Sequence, residues 1–169
     1  MTHLRGSLLV PKTHPRIEFR GRLDSLMADI LELQLRAEGL GEDGVLGDLE
    51  ELLAYTRQIL AAEVKEDPLA HPALLGLDSA GIRACFHHVK EHFGIDHPIP
   101  SYRMGPVCLG LNHLRTRVRE AELSAARAFP GQGGEARPDI LEGLNRMSSC
   151  VYIILCRRLS GYYERENQP

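Results

Sequence analysis

The stretch VCLGLNHLRTRVREAELSAARAF (107–129) indicates the fold class, because its apolar residues recur at steps of three and four. This spacing places them on one face of a helix. They are Leu111, Leu114, Val118, Ala121 and Ala125. The stretch before it, HPIPSYRMGP (97–106), is a proline-punctuated loop. The pattern therefore predicts a long amphipathic helix from Val107 to Phe129.

Four other segments have the same helical period, and none shows the alternation of a strand. Two of them have recognisable starts, since Asp78 suits an N-cap and Pro138 suits a first helical turn. The segments run from residue 17 to 39, 46 to 65, 78 to 94 and 138 to 159. We therefore predict an all-α five-helix bundle over residues 17–160. Residues 1–16 are predicted to be an extended or mobile arm, and residues 161–169 a fraying tail.

Composition limits the class of protein. With 43% hydrophobic residues among 169, the chain has enough apolar material for a core, which excludes wholesale disorder. The net charge of −3 argues against a general nucleic-acid binder. The longest apolar run, CVYIILC (150–156), is far shorter than the roughly 20 residues of a membrane span.

The N-terminus and the cysteines bear on location. The opening MTHLRGSLLV lacks the apolar region and cleavage site of a secretory signal, so none is expected. The four cysteines form no CxxC pair and do not resemble a secreted disulfide framework. We therefore expect a protein of the reducing cytosol.

Polar side chains interrupt two of the predicted helices. Arg115, Arg119 and Glu122 stand at i, i+4 and i+7, so they form one stripe. A second polar set interrupts the apolar run of the last helix: Asn145, Arg146, Ser148 and Ser149. The stripe fits either a solvated face with a helical ion pair or an anion-binding site. Guanidinium groups at this spacing suit a polyphosphate, because each can donate paired charge-assisted hydrogen bonds.

Two further groups of polar residues leave alternatives open. Asp24 is either a cap or surface acid, or the partner of an arginine on another helix or subunit. Cys85, His88 and His92 stand at i, i+3 and i+7, a spacing that could supply three ligands to Zn²⁺ or Fe²⁺. The other interpretation of this group is ordinary packing of a thiol beside surface histidines.

Four segments together resemble the ATP-dependent corrinoid (cobalamin) adenosyltransferases, especially the ethanolamine-utilisation branch. They are VPKTHPRIEFRGRLDSL (10–26), HFGIDHPIPSYRMG (92–105), LNHLRTRVREAELSAARAF (111–129) and ILEGLNRMSSCVYIILCR (140–157). The most specific feature is the order of RxxxRxxE (115–122) and LNRMSS (144–149) on the last two helices.

The resemblance implies a five-helix bundle that forms a homotrimer, with active sites between subunits. It implies transfer of the 5′-deoxyadenosyl group of ATP to Co(I) of a corrinoid, with release of triphosphate and with Mg²⁺ beside the nucleotide. A reductase and a cobalamin-dependent acceptor enzyme are the implied protein partners. The implied location is the cytoplasm, or a bacterial microcompartment within it.

The resemblance also implies roles for residues on the nucleotide side. Arg119 would contact the triphosphate or the transferred nucleotide, and Glu122 would orient the arginines or reach the ribose. Arg115 would form a salt bridge with Asp24 across the subunit boundary. The asparagine and arginine of the NR pair, Asn145 and Arg146, would contact the nucleotide, and Lys12 in the arm would bind phosphate.

The corrinoid side and the metal follow the family less closely. His97 falls where the family places the residue that displaces the lower ligand of the corrinoid. His97 would therefore line the apolar wall against which the corrinoid sits, or coordinate cobalt. His71, Cys85 and His88 are what this chain has near the metal motif of some members, and they would hold Zn²⁺ or Fe²⁺.

Three departures from the commoner family pattern leave other functions open. LLVPKTHPR (8–16) replaces a glycine- and threonine-rich phosphate loop, Ser149 replaces an aspartate, and Leu123 replaces an arginine. One alternative is a noncatalytic module that binds or delivers corrinoid. Another is a metal-binding bundle in which Cys85, His88 and His92 are the functional residues.

Overall fold

Four long helices form the body of the chain in a computed structural model that describes residues 1–131 and 136–166. α5 packs against α1 and α6, and α1 packs against α2. The short α3 lies on α6, and a 3-10 turn at Tyr102–Met104 precedes α5. The helices are α1 Pro15–Gly39, α2 Asp43–Lys65, α3 Ser79–His87, α4 Val89–Phe93, α5 Gly105–Ala128, α6 Pro138–Leu159 and α7 Tyr162–Glu166.

The core lies between the four long helices. The five apolar residues of α5 that predict its buried face are all fully or almost fully buried. The buried face of α6 is likewise formed by residues of its predicted apolar set, namely Ile140, Leu144, Met147 and Val151. The predicted all-α class is therefore confirmed. No helix in the described ranges combines the length and the apolarity needed to cross a membrane.

The predicted third helix is two helices in the structure. The side chain of Asp78 accepts a hydrogen bond from the Gly81 N–H at 2.7 Å, which confirms the predicted cap. At His88 the backbone leaves helical geometry, with φ −116° and ψ 46°, and α4 begins one residue later. A continuous helix to Gly94 is therefore wrong, although Ile82, Cys85, Val89 and Phe93 are all buried in the core.

The N-terminal arm is ordered around a small hairpin that the sequence does not predict. β1 (Thr2–Arg5) pairs antiparallel with β2 (Leu8–Val10), and the strands are too short to show clear alternation. Leu4 and Val10 are buried, and Arg5 forms an ion pair with Glu66 at the end of α2. The helix then begins at Pro15, two residues before its predicted start.

A buried carboxylate joins the start of α1 to the end of α2. Glu63 is fully buried and accepts hydrogen bonds from Nε of Arg16 at 2.6 Å and from Nε of Arg20. Arg16 also lies over the ring of Phe129, just past the end of α5. The same end of the bundle therefore holds the arm, the start of α1 and the end of α5.

The C-terminal segment packs on the bundle, whereas the sequence predicts a fraying tail. Tyr163 in α7 donates a hydrogen bond to Asp48 at 2.5 Å, and Asp48 also pairs with Arg157 at 3.0 Å. Gly44 makes room for this contact, since a Cβ atom there would overlap the Tyr163 ring. The rings of Tyr162 and Tyr163 also pack edge to face, and residues 167–169 lie outside the described ranges.

Candidate active site

A cleft of about 310 Å³ lies between α5, α6 and the end of α3. The structure brings together there the two polar sets on the last two long helices. The lining residues are Phe86, His87, Arg115, Arg119, Glu122, Asn145, Arg146, Ser148 and Ser149. Three of these side chains are guanidinium groups and one is a carboxylate. The cleft therefore has a cationic lining suited to an anion.

Glu122 and Asn145 connect the two helices across the cleft. Nδ2 of Asn145 donates a hydrogen bond to Oε1 of Glu122 at 3.1 Å. Asn145 is exposed and Glu122 is half-buried, so both can also reach a ligand. Ser149 points back to its own helix and donates to the Asn145 carbonyl at 3.3 Å. The hydrogen bond from Asn145 therefore holds the Glu122 carboxylate in a defined place on the cleft wall.

Arg115 is held by an aromatic ring. Its guanidinium carbon lies 5.4 Å from the centre of the Tyr152 ring, which is a cation–π distance. Its Nε atom is buried and has no hydrogen-bond partner among the described residues. Tyr152 is a residue that the sequence analysis missed. Its position seven residues after Asn145, on the same face of α6, is the signal that could have found it.

Tyr152 also links the cleft to the proline-rich loop before α5. The Tyr152 hydroxyl shares a hydrogen bond of 2.7 Å with Nδ1 of His97, and the two rings stack at 6.0 Å. Burial raises the pKa of Tyr152 to about 12, so its hydroxyl keeps its proton at neutral pH. The structure therefore connects His97 to Arg115 through a single ring.

Arg119 lines the cleft without a bonding partner among the described residues. Its side chain is exposed and makes no hydrogen bond or ion pair with the part of the chain that the structure describes. It also borders a second, more open groove of about 730 Å³, lined by Leu123, Ala126 and Leu141 among others. Arg119 therefore stands where the cleft meets an apolar groove.

Arg146 is anchored at one atom by residues that the sequence analysis missed. Its Nε donates to Oγ of Ser79 at 3.0 Å. Ser79 in turn donates to Oε1 of Glu142 at 2.8 Å. Ser79 begins α3 and Glu142 lies in α6, so the anchor depends on the packing of these two helices. Nothing in the local sequence indicates this contact.

Comparison with known proteins assigns the chain to a family. The profile of the cobalamin adenosyltransferases matches residues 1–158. The chain belongs to the cobalamin adenosyltransferase family. It is 35% identical over 156 residues to proteins described as corrinoid adenosyltransferase EutT from Salmonella typhimurium and from Escherichia coli K12. The alignment covers 92% of this chain but 57% of each relative, so the chain spans little more than half their length. No solved structure matches it significantly.

Two residues matched to the cobalamin adenosyltransferase pattern lie outside the cleft of the single chain. Lys12 is exposed between the hairpin and α1, and Asp24 is exposed on α1. Neither lines the cleft, and neither makes a hydrogen bond or ion pair with the described residues. Arg115 and Asp24 are therefore not paired within one chain, and the predicted pair across a subunit boundary stays a prediction.

The metal motif of some cobalamin adenosyltransferases is not reproduced here. Cys85 faces the core, and burial raises the pKa of its thiol. His88 lies near Glu91, and His71 lies 3.8 Å from Glu142. No three His, Cys, Asp or Glu side chains converge as metal ligands within the described ranges. The predicted Zn²⁺ or Fe²⁺ ligand set of His71, Cys85 and His88 stays a prediction.

Proposed function

We propose that this chain transfers the 5′-deoxyadenosyl group of ATP to Co(I) of a corrinoid, giving the adenosylated corrinoid and triphosphate. The observation that carries the proposal is the convergence of Arg115, Arg119 and Arg146 on one cleft. Membership of the cobalamin adenosyltransferase family supports the same reaction. The chain spans little more than half the length of these relatives, so the cleft itself is the main support for the reaction.

The reaction needs alignment and charge stabilisation rather than a protein nucleophile. Co(I) attacks C5′ of the ribose, the C5′–O bond breaks, and its electron pair leaves on the triphosphate oxygen. Arginine side chains that face this oxygen stabilise the developing charge in the transition state. Holding the two substrates in line supplies a further large part of the acceleration. We assign Arg119 and Arg146 to the triphosphate, because both line the cleft.

The remaining cleft residues suit the nucleoside and the metal that accompanies it. Glu122 is the only carboxylate among the described residues that line the cleft, and Asn145 fixes its position. One carboxylate together with phosphate oxygens is a usual set of protein and substrate ligands for Mg²⁺. Glu122 would hold the Mg²⁺ of the nucleotide or accept a ribose hydroxyl, and Mg²⁺ would neutralise charge on the polyphosphate.

The corrinoid is assigned to the side of the cleft where His97 stacks on Tyr152. The loop that carries His97 also presents Ile99 and Tyr102, which are 83% and 77% exposed. These apolar side chains can cover a macrocycle and keep water from cobalt. His97 then contacts the lower face of the corrinoid or coordinates its cobalt.

We assign the active unit to a homotrimer in which neighbouring chains complete each site. Along α1, small or apolar residues form an exposed stripe with Asp24 within it. The stripe consists of Gly21, Ala28, Leu31 and Leu35. The groove beside Arg119 presents a different apolar surface, with Leu123 55% exposed. Two unlike surfaces on one chain suit a head-to-tail contact that closes a ring. Such a contact would bring Asp24, and Lys12 from the arm, to the cleft of a neighbour.

The proposed setting is the cytoplasm, including a microcompartment within it. Its support is that all four cysteines are free in the structure. A reductase would supply Co(I), and a cobalamin-dependent enzyme would receive the product.

The test is an anaerobic spectroscopic assay with ATP, Mg²⁺ and chemically reduced cobalamin. We expect adenosylcobalamin and triphosphate to form in equal amounts. The matched control is Arg127→Ala, since Arg127 is an exposed arginine of α5 that does not line the cleft. Corrinoid binding without product would instead identify a noncatalytic binding or delivery module.

A further inference from the structure

Two residues of α6, Glu142 and Arg146, are placed where they would normally bind each other. They stand four residues apart, the spacing at which a glutamate and a following arginine form a helical ion pair. No such pair is present in the described part of the chain. Ser79 lies between them instead, at 3.0 Å from Nε of Arg146 and at 2.8 Å from Oε1 of Glu142.

The direction of the two hydrogen bonds follows from the chemistry of the hydroxyl group. A serine hydroxyl has one proton to donate and two lone pairs to accept with. Ser79 donates that proton to Glu142, which leaves its lone pairs directed at Arg146. The carboxylate thus sets the rotation of the hydroxyl, and the hydroxyl sets the rotation of the guanidinium.

The anchor occupies Nε of Arg146 and leaves its other nitrogens available. Neither Nη atom has a hydrogen-bond or ion-pair partner among the described residues, and Arg146 lines the cleft. Ser79 and Glu142 are not among the lining residues. A guanidinium held at Nε in this way can present both Nη groups to an anion as a fork.

We propose that Ser79 and Glu142 are positioning residues that direct Arg146 at the triphosphate of ATP. Ser79 also keeps Glu142 from capturing the guanidinium and withdrawing it from the cleft. This inference rests on the proposed function. Ser79 and Glu142 would affect triphosphate binding through Arg146.

The test is calorimetric titration of inorganic triphosphate into the full chain and its variants. Ser79→Ala removes the spacer, so Arg146 turns to Glu142 and triphosphate affinity falls about tenfold. Ser79→Thr keeps the hydroxyl and binds as the wild type does. In the double variant Ser79→Ala/Glu142→Gln the competing charge is absent, so part of the lost affinity returns although the anchor at Nε is still missing. In turnover, Ser79→Ala raises KM for ATP more than it lowers kcat.

The double variant separates positioning from mere support of the fold. If Ser79 only stabilised the start of α3, adding Glu142→Gln would restore no affinity, and that result would overturn the inference. Wild-type affinity in Ser79→Ala would overturn it as well. The control is Ser160→Ala, since Ser160 donates to the Arg157 carbonyl at the far end of α6. A wild type that binds triphosphate but forms no adenosylcobalamin refutes the proposed reaction, while the affinities still decide the positioning. A wild type that binds no triphosphate overturns both.

Discussion

The guanidinium carbon of Arg115 lies 5.4 Å from the centre of the Tyr152 ring, and Nε of Arg115 has no hydrogen-bond partner in the described ranges. A buried donor without a partner costs about 1–3 kcal/mol. The ring offsets part of this cost, but it leaves hydrogen-bonding capacity unused. We therefore expect this side chain to gain a contact from a ligand or from a neighbouring subunit.

Tyr152 should affect nucleotide binding through its ring more than through its hydroxyl group. Tyr152→Ala removes the cation–π contact, worth about 0.5–2 kcal/mol, and should raise KM for ATP about twofold to thirtyfold. Tyr152→Phe keeps the ring and loses only the bond to His97, so its KM for ATP should stay near the wild-type value. Steady-state kinetics with varied ATP measures both. Equal effects of the two variants would contradict the role given to the ring.

Arg119 should act in the transition state and contribute little to stability. Its side chain is exposed and bonds to no described residue, so Arg119→Ala should leave the melting temperature unchanged. The loss of one charge-stabilising group should lower kcat/KM for ATP about 100- to 1000-fold. Arg127→Ala, on the same helix, should have almost no effect. Comparable losses in both variants would point to general surface charge as the cause.

Asp24 should contribute to assembly. If Asp24 pairs with Arg115 of a neighbouring chain, Asp24→Ala leaves a charge unpaired at the interface and costs about 3–5 kcal/mol. Sedimentation equilibrium should then show dissociation at a higher protein concentration than for the wild type. Glu38→Ala, at an exposed position near the end of the same helix, is the control. Unchanged assembly of Asp24→Ala would remove the proposed pair.

Glu63 should be a major determinant of stability. It is fully buried between Arg16 and Arg20, so Glu63→Ala removes the buried carboxylate that both guanidinium groups bind, while Arg16 keeps its ion pair with Glu66. We expect a loss of about 3–5 kcal/mol and a melting temperature lower by roughly 6–20 °C. Calorimetry measures this, with Glu91→Ala, at a 77% exposed side chain, as the control. A change below about 2 °C would show that the pair adds no net stability.

The link from α6 to the segment after α2 should weaken in acid. Burial alone would raise the pKa of Asp139, but hydrogen bonds from Arg137 and from the Leu69 and Ile140 N–H groups lower it to about 2. A carboxyl pKa below its unfolded value gives stability that is complete above about pH 4 and is lost as the pH falls toward 2.

Asp139→Asn tests this dependence. The variant should be less stable than the wild type at pH 7, and the difference should shrink between about pH 4 and pH 2. Urea unfolding at a series of pH values measures it. A difference that stays constant down to pH 2.5 would mean that another group titrates in this range.

The helical pattern could be predicted because it is local. Apolar spacing alone placed the buried face of α5, and Asp78 and Pro138 marked the starts of two helices where the structure has them. The polar stripe of Arg115, Arg119 and Glu122 followed from the same period. The spacing of residues within one helix is set by its fixed geometry, so no knowledge of the neighbouring helices was needed.

The break at His88 and the contacts of the cleft could not be predicted in this way. Ser79 stands 63 residues from Glu142, and His97 stands 55 residues from Tyr152. Only the packing of their segments brings each pair together. The pattern from Asp78 to Gly94 looked like one helix, and a single non-helical residue, His88, divides it into α3 and α4. The sequence by itself therefore determined which residues share a helix face, because hydrogen bonds along the backbone repeat regularly. The bundle decided which faces meet and which side chains are left free for a ligand, because those depend on how helices distant in the chain pack.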